Sequence, residues 1–211
     1  MITTRIPRLL AAAVIGAALT GVALTGPAVA QDDPEDGIDV SVTIEPRTTP
    51  GSVSMTVADN TGVALQENGS DAAARQFVGT LPTVTVTDTR DPAQIPAGDF
   101  WAVVGQAGEF VSADGSAPPI GPQYLGWRPQ LLSDSPTGAV AAGEPVSSVI
   151  SDGSGAPTVG LQGQELLVST ANSADEIGTW QVNADLALRT PTDVTAGEYR
   201  TTLTLSLFNQ S

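Results

Sequence analysis

Apolar residues recur at every second position along most of this chain, and that period constrains its fold more than any other feature. Ile38, Val40, Val42 and Ile44 alternate with polar residues, as do Val53, Met55 and Val57, then Trp180, Val182, Ala184, Leu186 and Leu188, then Tyr199, Thr201, Leu203, Leu205 and Leu207. In an extended strand successive side chains point to opposite faces, so each run buries one face and wets the other. Turn-forming clusters separate the runs at Pro46–Gly51, Ala58–Gly62, Glu67–Asp71, Asp114–Pro122, Ser133–Gly143 and Ser151–Pro157. No useful helical period interrupts them; Ser70–Gln76 is expected to make one turn at most. Many short strands between such turns predict an all-β fold, an antiparallel β-sandwich formed as one domain over residues 38–211.

The first thirty residues follow a different logic. Arg5 and Arg8 precede an apolar run from Leu9 to Leu19, and Ala28-Val29-Ala30 stands before polar Gln31-Asp32-Asp33. A basic start, an apolar centre and a small-residue cleavage site predict a secretory signal peptide over residues 1–30. Gly26-Pro27 breaks the helix that a membrane span would need, so no membrane association is expected after cleavage. Residues 31–37, QDDPEDG, are expected to form an acidic linker. With no cysteine for lipid attachment and no sorting signal at the C-terminus, any surface attachment is expected to be non-covalent.

Composition removes several kinds of chemistry. The chain has no His, no Cys and no Lys; its eight basic residues are all Arg. A Ser-His-Asp triad, a Cys-His dyad, a Ser-Lys pair and a Schiff base are therefore out of reach, as are imidazole and thiolate metal sites. Paired carboxylates of the glycosidase type remain, with Asp99 and Glu109 or Asp185 and Glu198 as pairs to weigh. No pair stands out among the 23 acidic residues, so no catalytic activity and no cofactor are expected. Calcium has oxygen ligands available at Asp32-Asp33-Pro34-Glu35-Asp36, Asp59-Asn60 and Ser151-Asp152-Gly153, yet none has the spacing of a calcium loop, and no metal site is predicted. Asn68-Gly69-Ser70 reads as a loop. All 23 acidic residues but only six arginines follow Ala30, a net of −17 for the mature chain. Such a surface repels nucleic acid.

The aromatic residues are few enough to place one by one. Trp101 and Trp180 lie in alternating runs, where a large ring fills a core. Tyr124 and Trp127 lie in Gly121-Pro122-Gln123-Tyr124-Leu125-Gly126-Trp127-Arg128-Pro129, bracketed by Gly and Pro. Two readings stay open there. Tyr124 and Trp127 stack on sugars while Arg128 pairs with a carboxylate or phosphate, or the segment is a second packing cluster. Arg90, in VTDTRD, either contacts the same ligand or pairs with Asp88 or Asp91 to fix a turn.

Two stretches also carry a family resemblance. LPTVTVTDTRDPAQIPAGDFWAVV, from Leu81, and WQVNADLALRTPTDVTAGEYRTTLTLSLFNQS, from Trp180, resemble the two halves of the WxL domain of Gram-positive surface proteins, in its actinobacterial form. The Tyr124-Leu125-Gly126-Trp127 segment is similar to one in those proteins. The first signature falls on Trp101-Ala102-Val103 and the second on Leu205-Ser206-Leu207, with Val in place of Leu and Leu in place of Trp. Gly197 and Tyr199 lie in the run that leads into the second. The resemblance implies a WxL-like β-sandwich, secreted and held at the cell wall by peptidoglycan or an attached glycan. It leaves as an alternative a module that assembles with other surface proteins by adding strands or by its loops.

Overall fold

The computed structural model describes residues 51–59 and 61–210. The expected signal peptide, the acidic linker, the alternating run at 38–44 and the Asp32–Asp36 cluster lie outside the described residues, as does Asn60.

Within them the protein is all-β. Twelve strands run β1 Val53–Val57, β2 Gln66–Glu67, β3 Arg75–Thr80, β4 Val84–Asp88, β5 Trp101–Ala107, β6 Val111–Ser112, β7 Leu125–Leu131, β8 Val140–Ala142, β9 Glu165–Thr170, β10 Gly178–Thr190, β11 Tyr199–Arg200 and β12 Leu203–Asn209. The only helical pieces among the described residues are four three-residue 3-10 turns. Every pairing between named strands is antiparallel.

The larger sheet is organised by β10, thirteen residues long. Its Trp180, Val182, Ala184, Leu186 and Leu188 are all buried, as their alternation requires. Along one edge of β10 run β4 and β3 end to end, with Val84 opposite Val182 and Thr80 opposite Asp185. Three positions on that side, 81–83, answer two on β10, 183–184, so the path bulges there, and the Leu81 amide bridges the break by donating to the Ala184 carbonyl at 2.8 Å. Outside them lie β1 and β2, and on the other edge of β10 lies β7. A second sheet has the order β12-β5-β9-β8, and β6 with β11 makes a small ribbon.

The two larger sheets enclose one hydrophobic core. Val84, Val86, Trp180 and Val182 from the first meet Trp101, Val103, Leu167 and Val168 from the second, giving a sandwich-like arrangement. Trp127 on β7 and Gly105 on β5 interlock within it. A Cβ built on Gly105 would lie 2.6 Å from Trp127 Cη2, so the indole occupies the volume that a side chain at 105 would take. The positions of the two signature triplets are also neighbours, because β5 and β12 pair with Val103 opposite Leu207 and Gly105 opposite Leu205. Trp101 and Val103 are fully buried, while Leu205 and Leu207 on the edge strand are half-buried.

Three local expectations change. Ser70–Gln76 forms no helical turn: the Asp71 carboxylate accepts the Ala73 and Ala74 amides at 2.7 and 2.9 Å, and the chain enters β3 at Arg75. The Ser133–Gly143 breaker cluster contains β8, three residues too short to announce a period. The Tyr199–Leu207 run is divided at Thr201-Thr202, so Tyr199 belongs to the ribbon and Leu205 and Leu207 to the sheet.

Candidate functional site

The YLGWR segment sends its side chains to three different places. Gly121-Pro122 starts a 3-10 turn in which the Tyr124 amide donates to the Gly121 carbonyl at 3.2 Å, and that turn leaves Tyr124 half-buried at the rim of a cleft. From Leu125 onward the chain is strand, so alternation takes over. Trp127 points inward with 2% of its surface exposed, which removes it from any stacking role and assigns it to the core. Arg128 points outward into a separate notch. Ligand contact by Tyr124, Trp127 and Arg128 together is therefore corrected by the strand geometry of β7.

The Tyr124 cleft has a volume of about 260 Å³. Its second aromatic wall is Tyr199, carried by β11. Pro118, Pro119 and Pro191 stiffen the rim, and Ile120 and Val194 provide apolar surface between the rings. The Tyr199 hydroxyl donates to the Thr195 carbonyl at 2.8 Å, which fixes the phenol against the 191–199 loop. Gly197 lies beside it; a Cβ there would meet Tyr199 Cε2 at 3.7 Å, an ordinary contact. In the turn that follows the ribbon's other strand, Asp114 accepts from Ser112 Oγ at 2.5 Å and from the Ser116 hydroxyl and amide at 2.7 and 2.9 Å. Those bonds, led by Ser112, hold the Asp114 carboxyl down to about 2. Asp193 adds a carboxylate to the cleft lining. Two phenol rings, apolar flanks and a few polar acceptors suit a ligand with both apolar faces and hydroxyl groups.

Arg90 lies away from both recesses. Its Nη2 is 2.7 Å from Asp88 Oδ2 and its Nη1 is 3.1 Å from Asp99 Oδ2, with all three side chains largely buried. The pairing with Asp88 matches the turn-fixing reading, but the second partner is Asp99 and not Asp91. Asp91 instead caps the following 3-10 turn, accepting the Ala93 amide at 3.0 Å. The guanidinium thus ties the end of β4 to the entrance of β5, and its own pKa is raised, chiefly by the bond to Asp88.

The carboxylates weighed for catalysis are mostly engaged. Asp99 is held by Arg90, Asp185 Oδ2 accepts from Gln130 Nε2 at 2.6 Å, and Glu198 pairs with Arg200 at 2.7 Å. Among the described residues no group of three or more carboxylates is placed to hold a metal. Asp152 closes its own turn by accepting the Ser154 amide at 2.9 Å, while Gly153 supplies a φ of +80°. A scan against family models finds no match for this chain, and neither does a search of curated proteins.

The Tyr199 wall, the three prolines and Asp193 were not legible as site residues. Residues 118–124 and 191–199 are far apart in sequence, and the pairing of β7 with β10, the Phe110–Ile120 bridge and the pairing of β6 with β11 bring them together.

Proposed function

We propose that this chain is an exported protein of WxL-like architecture that attaches non-covalently to the wall of a Gram-positive bacterium. It does so by binding peptidoglycan or a glycan attached to it, as a binder with no catalytic step. The observation that carries the reading is the cleft in which Tyr124 and Tyr199 line a sugar-sized space between proline-stiffened loops. Sugars present apolar C–H faces to such rings and hydroxyls to the acceptors around them. The signal-like N-terminus supports export, and the pairing of Val103 with Leu207 supports the WxL-like architecture by joining its two signatures in one sheet.

The charge narrows the mechanism. A mature chain of six arginines against 23 acidic residues is repelled by an anionic wall, so attachment rests on short-range stacking and hydrogen bonding. Fractionating the host into medium, wall and membrane tests this reading. The protein is expected in the wall fraction and is expected to stay there through chelation and moderate salt. Complete release by a chelator would replace stacking with divalent bridging.

One observation favours the second reading, a module that assembles with other surface proteins. Among the described residues β12 is the outer strand of its sheet, carries no charged residue, and exposes Phe208 to 46%, features that favour strand addition. Recovery in the wall fraction only when a protein partner is present would favour it.

A further inference from the structure

Five arginines lie among the described residues, and four have carboxylate partners within 4 Å: Arg75 with Glu67, Arg90 with Asp88 and Asp99, Arg189 with Asp71, and Arg200 with Glu198. Arg128 is the exception. It is exposed on the outer face of β7, directly across from Asp185 on β10, but the two make no ion pair, and Asp185 Oδ2 accepts from Gln130 Nε2 at 2.6 Å. With so many acids among the described residues, a guanidinium that pairs with none of them is conspicuous.

Arg128 shares its notch with a second guanidinium. Arg189 is only 9% exposed, and two of its nitrogens are fixed, Nη1 by Gln76 Oε1 at 2.6 Å and Nη2 by Asp71 Oδ2 at 3.3 Å. Its Nε is buried with no hydrogen-bond partner among the described residues. A buried donor without an acceptor is costly, and such groups in folded proteins are normally met by a ligand or by water. Trp127 and Val146, both buried, border the same notch, and Asp152 and Asp185 also line it. The volume is about 90 Å³. One water needs only about 10–15 Å³, so the space suits a group of several heavy atoms.

We infer that this notch binds the free carboxylate end of a peptide. Arg128 supplies a planar fork that matches a carboxylate and has no carboxylate partner among the described residues, and Arg189 adds a second, fixed positive charge to the lining. Asp152 and Asp185 select against a compact dianion such as phosphate, because they face it with like charge. They accept the amide N–H that a peptide carries next to its terminal carboxylate. The limited volume selects a chain end over a chain middle. This inference is independent of the tyrosine cleft, which lies on other residues.

The test is calorimetric titration of the purified full chain with N-acetyl-alanyl-alanine, with the same peptide as its C-terminal amide, and with inorganic phosphate. The acid is expected to bind, the amide to bind roughly tenfold more weakly or worse, and phosphate to show no saturable binding. R128A, at an exposed position, is expected to melt like the parent chain and to lose roughly tenfold or more of its affinity for the acid, with R128K falling between. Equal binding of acid and amide, binding of phosphate in place of the acid, no binding of the acid at millimolar concentration, or unchanged affinity in R128A would each overturn the inference. The acid-to-amide comparison needs no variant and decides even if R128A fails to fold.

Discussion

Trp101 and Trp180 meet across the core with ring centroids 5.5 Å apart and planes inclined by 38°. One ring comes from the start of β5 and the other from near the start of β10, so this contact joins the two larger sheets. Trp180 Nε1 is satisfied by Glu176 Oε1 at 3.1 Å, whereas Trp101 Nε1 is buried without a partner among the described residues, which leaves packing as the main contribution of Trp101. Trp101→Ala is expected to destabilise the fold by about 3–5 kcal/mol in urea denaturation. A cost under about 1 kcal/mol, the scale of an ordinary surface change, would mean that the sheets do not depend on this contact.

Gly105 gives a sharper test of the same core. An added methyl would overlap the Trp127 ring, and the neighbouring Leu205 Cδ2 at 3.1 Å leaves little room to shift. Gly105→Ala is therefore expected to lose about 1–3 kcal/mol, the usual penalty for overpacking. Combining it with Trp127→Phe should recover part of that loss. Strictly additive losses in the double variant would show that the two positions do not meet.

The Arg90 ion pairs predict a large and asymmetric effect. Removing the guanidinium leaves two buried carboxylates, Asp88 and Asp99, without their cation. Arg90→Ala is expected to lose about 3–5 kcal/mol, because a broken buried pair costs far more than an intact one contributes. Since all three groups are shielded, the loss caused by Arg90→Ala should change little between low and moderate salt. A strongly salt-dependent melt traced to Arg90 would contradict this placement.

Acid should loosen the ribbon that carries Tyr199 before it unfolds the core. The Asp114 carboxyl titrates at about 2 in the fold, below its ordinary value in an unfolded chain. A depressed carboxyl contributes stability that is fully present above the unfolded value, about 3.9, and is lost as the pH falls toward the folded one. Protection of the Ser116 and Ala113 amides, measured against their intrinsic exchange rates at each pH, should therefore fall as the pH drops through that window, and Asp114→Asn should remove that fall. An unchanged profile in Asp114→Asn would assign the transition to another group.

Much of the fold was legible, and the exceptions share a cause. Trp180 to Leu188 alternates cleanly because β10 buries one face along most of its length. Trp127 misled because Gly126 and Pro129 look like turn residues, yet Leu125, Trp127, Pro129 and Leu131 also alternate with Gly126, Arg128 and Gln130. That period marked a strand under the punctuation. Gly126 is there for close approach, since a Cβ would lie 2.5 Å from the Val146 carbonyl oxygen. The Arg90–Asp99 pair and the cleft between Tyr124 and Tyr199 depend on tertiary approach, for which local sequence offers no period to read.

The most direct test of the central claim is cosedimentation of the purified protein with isolated Gram-positive walls, comparing the parent chain with the Tyr124→Ala, Tyr199→Ala double variant. Both residues are half-buried at a cleft rim, so the double variant is expected to keep its fold, checked by its circular dichroism melt. Stacking lost at two rings should weaken wall binding by roughly tenfold or more, taking about 1 kcal/mol per ring as a guide. Parent-like sedimentation by a folded double variant would contradict the assignment of the tyrosine cleft as the wall-binding site.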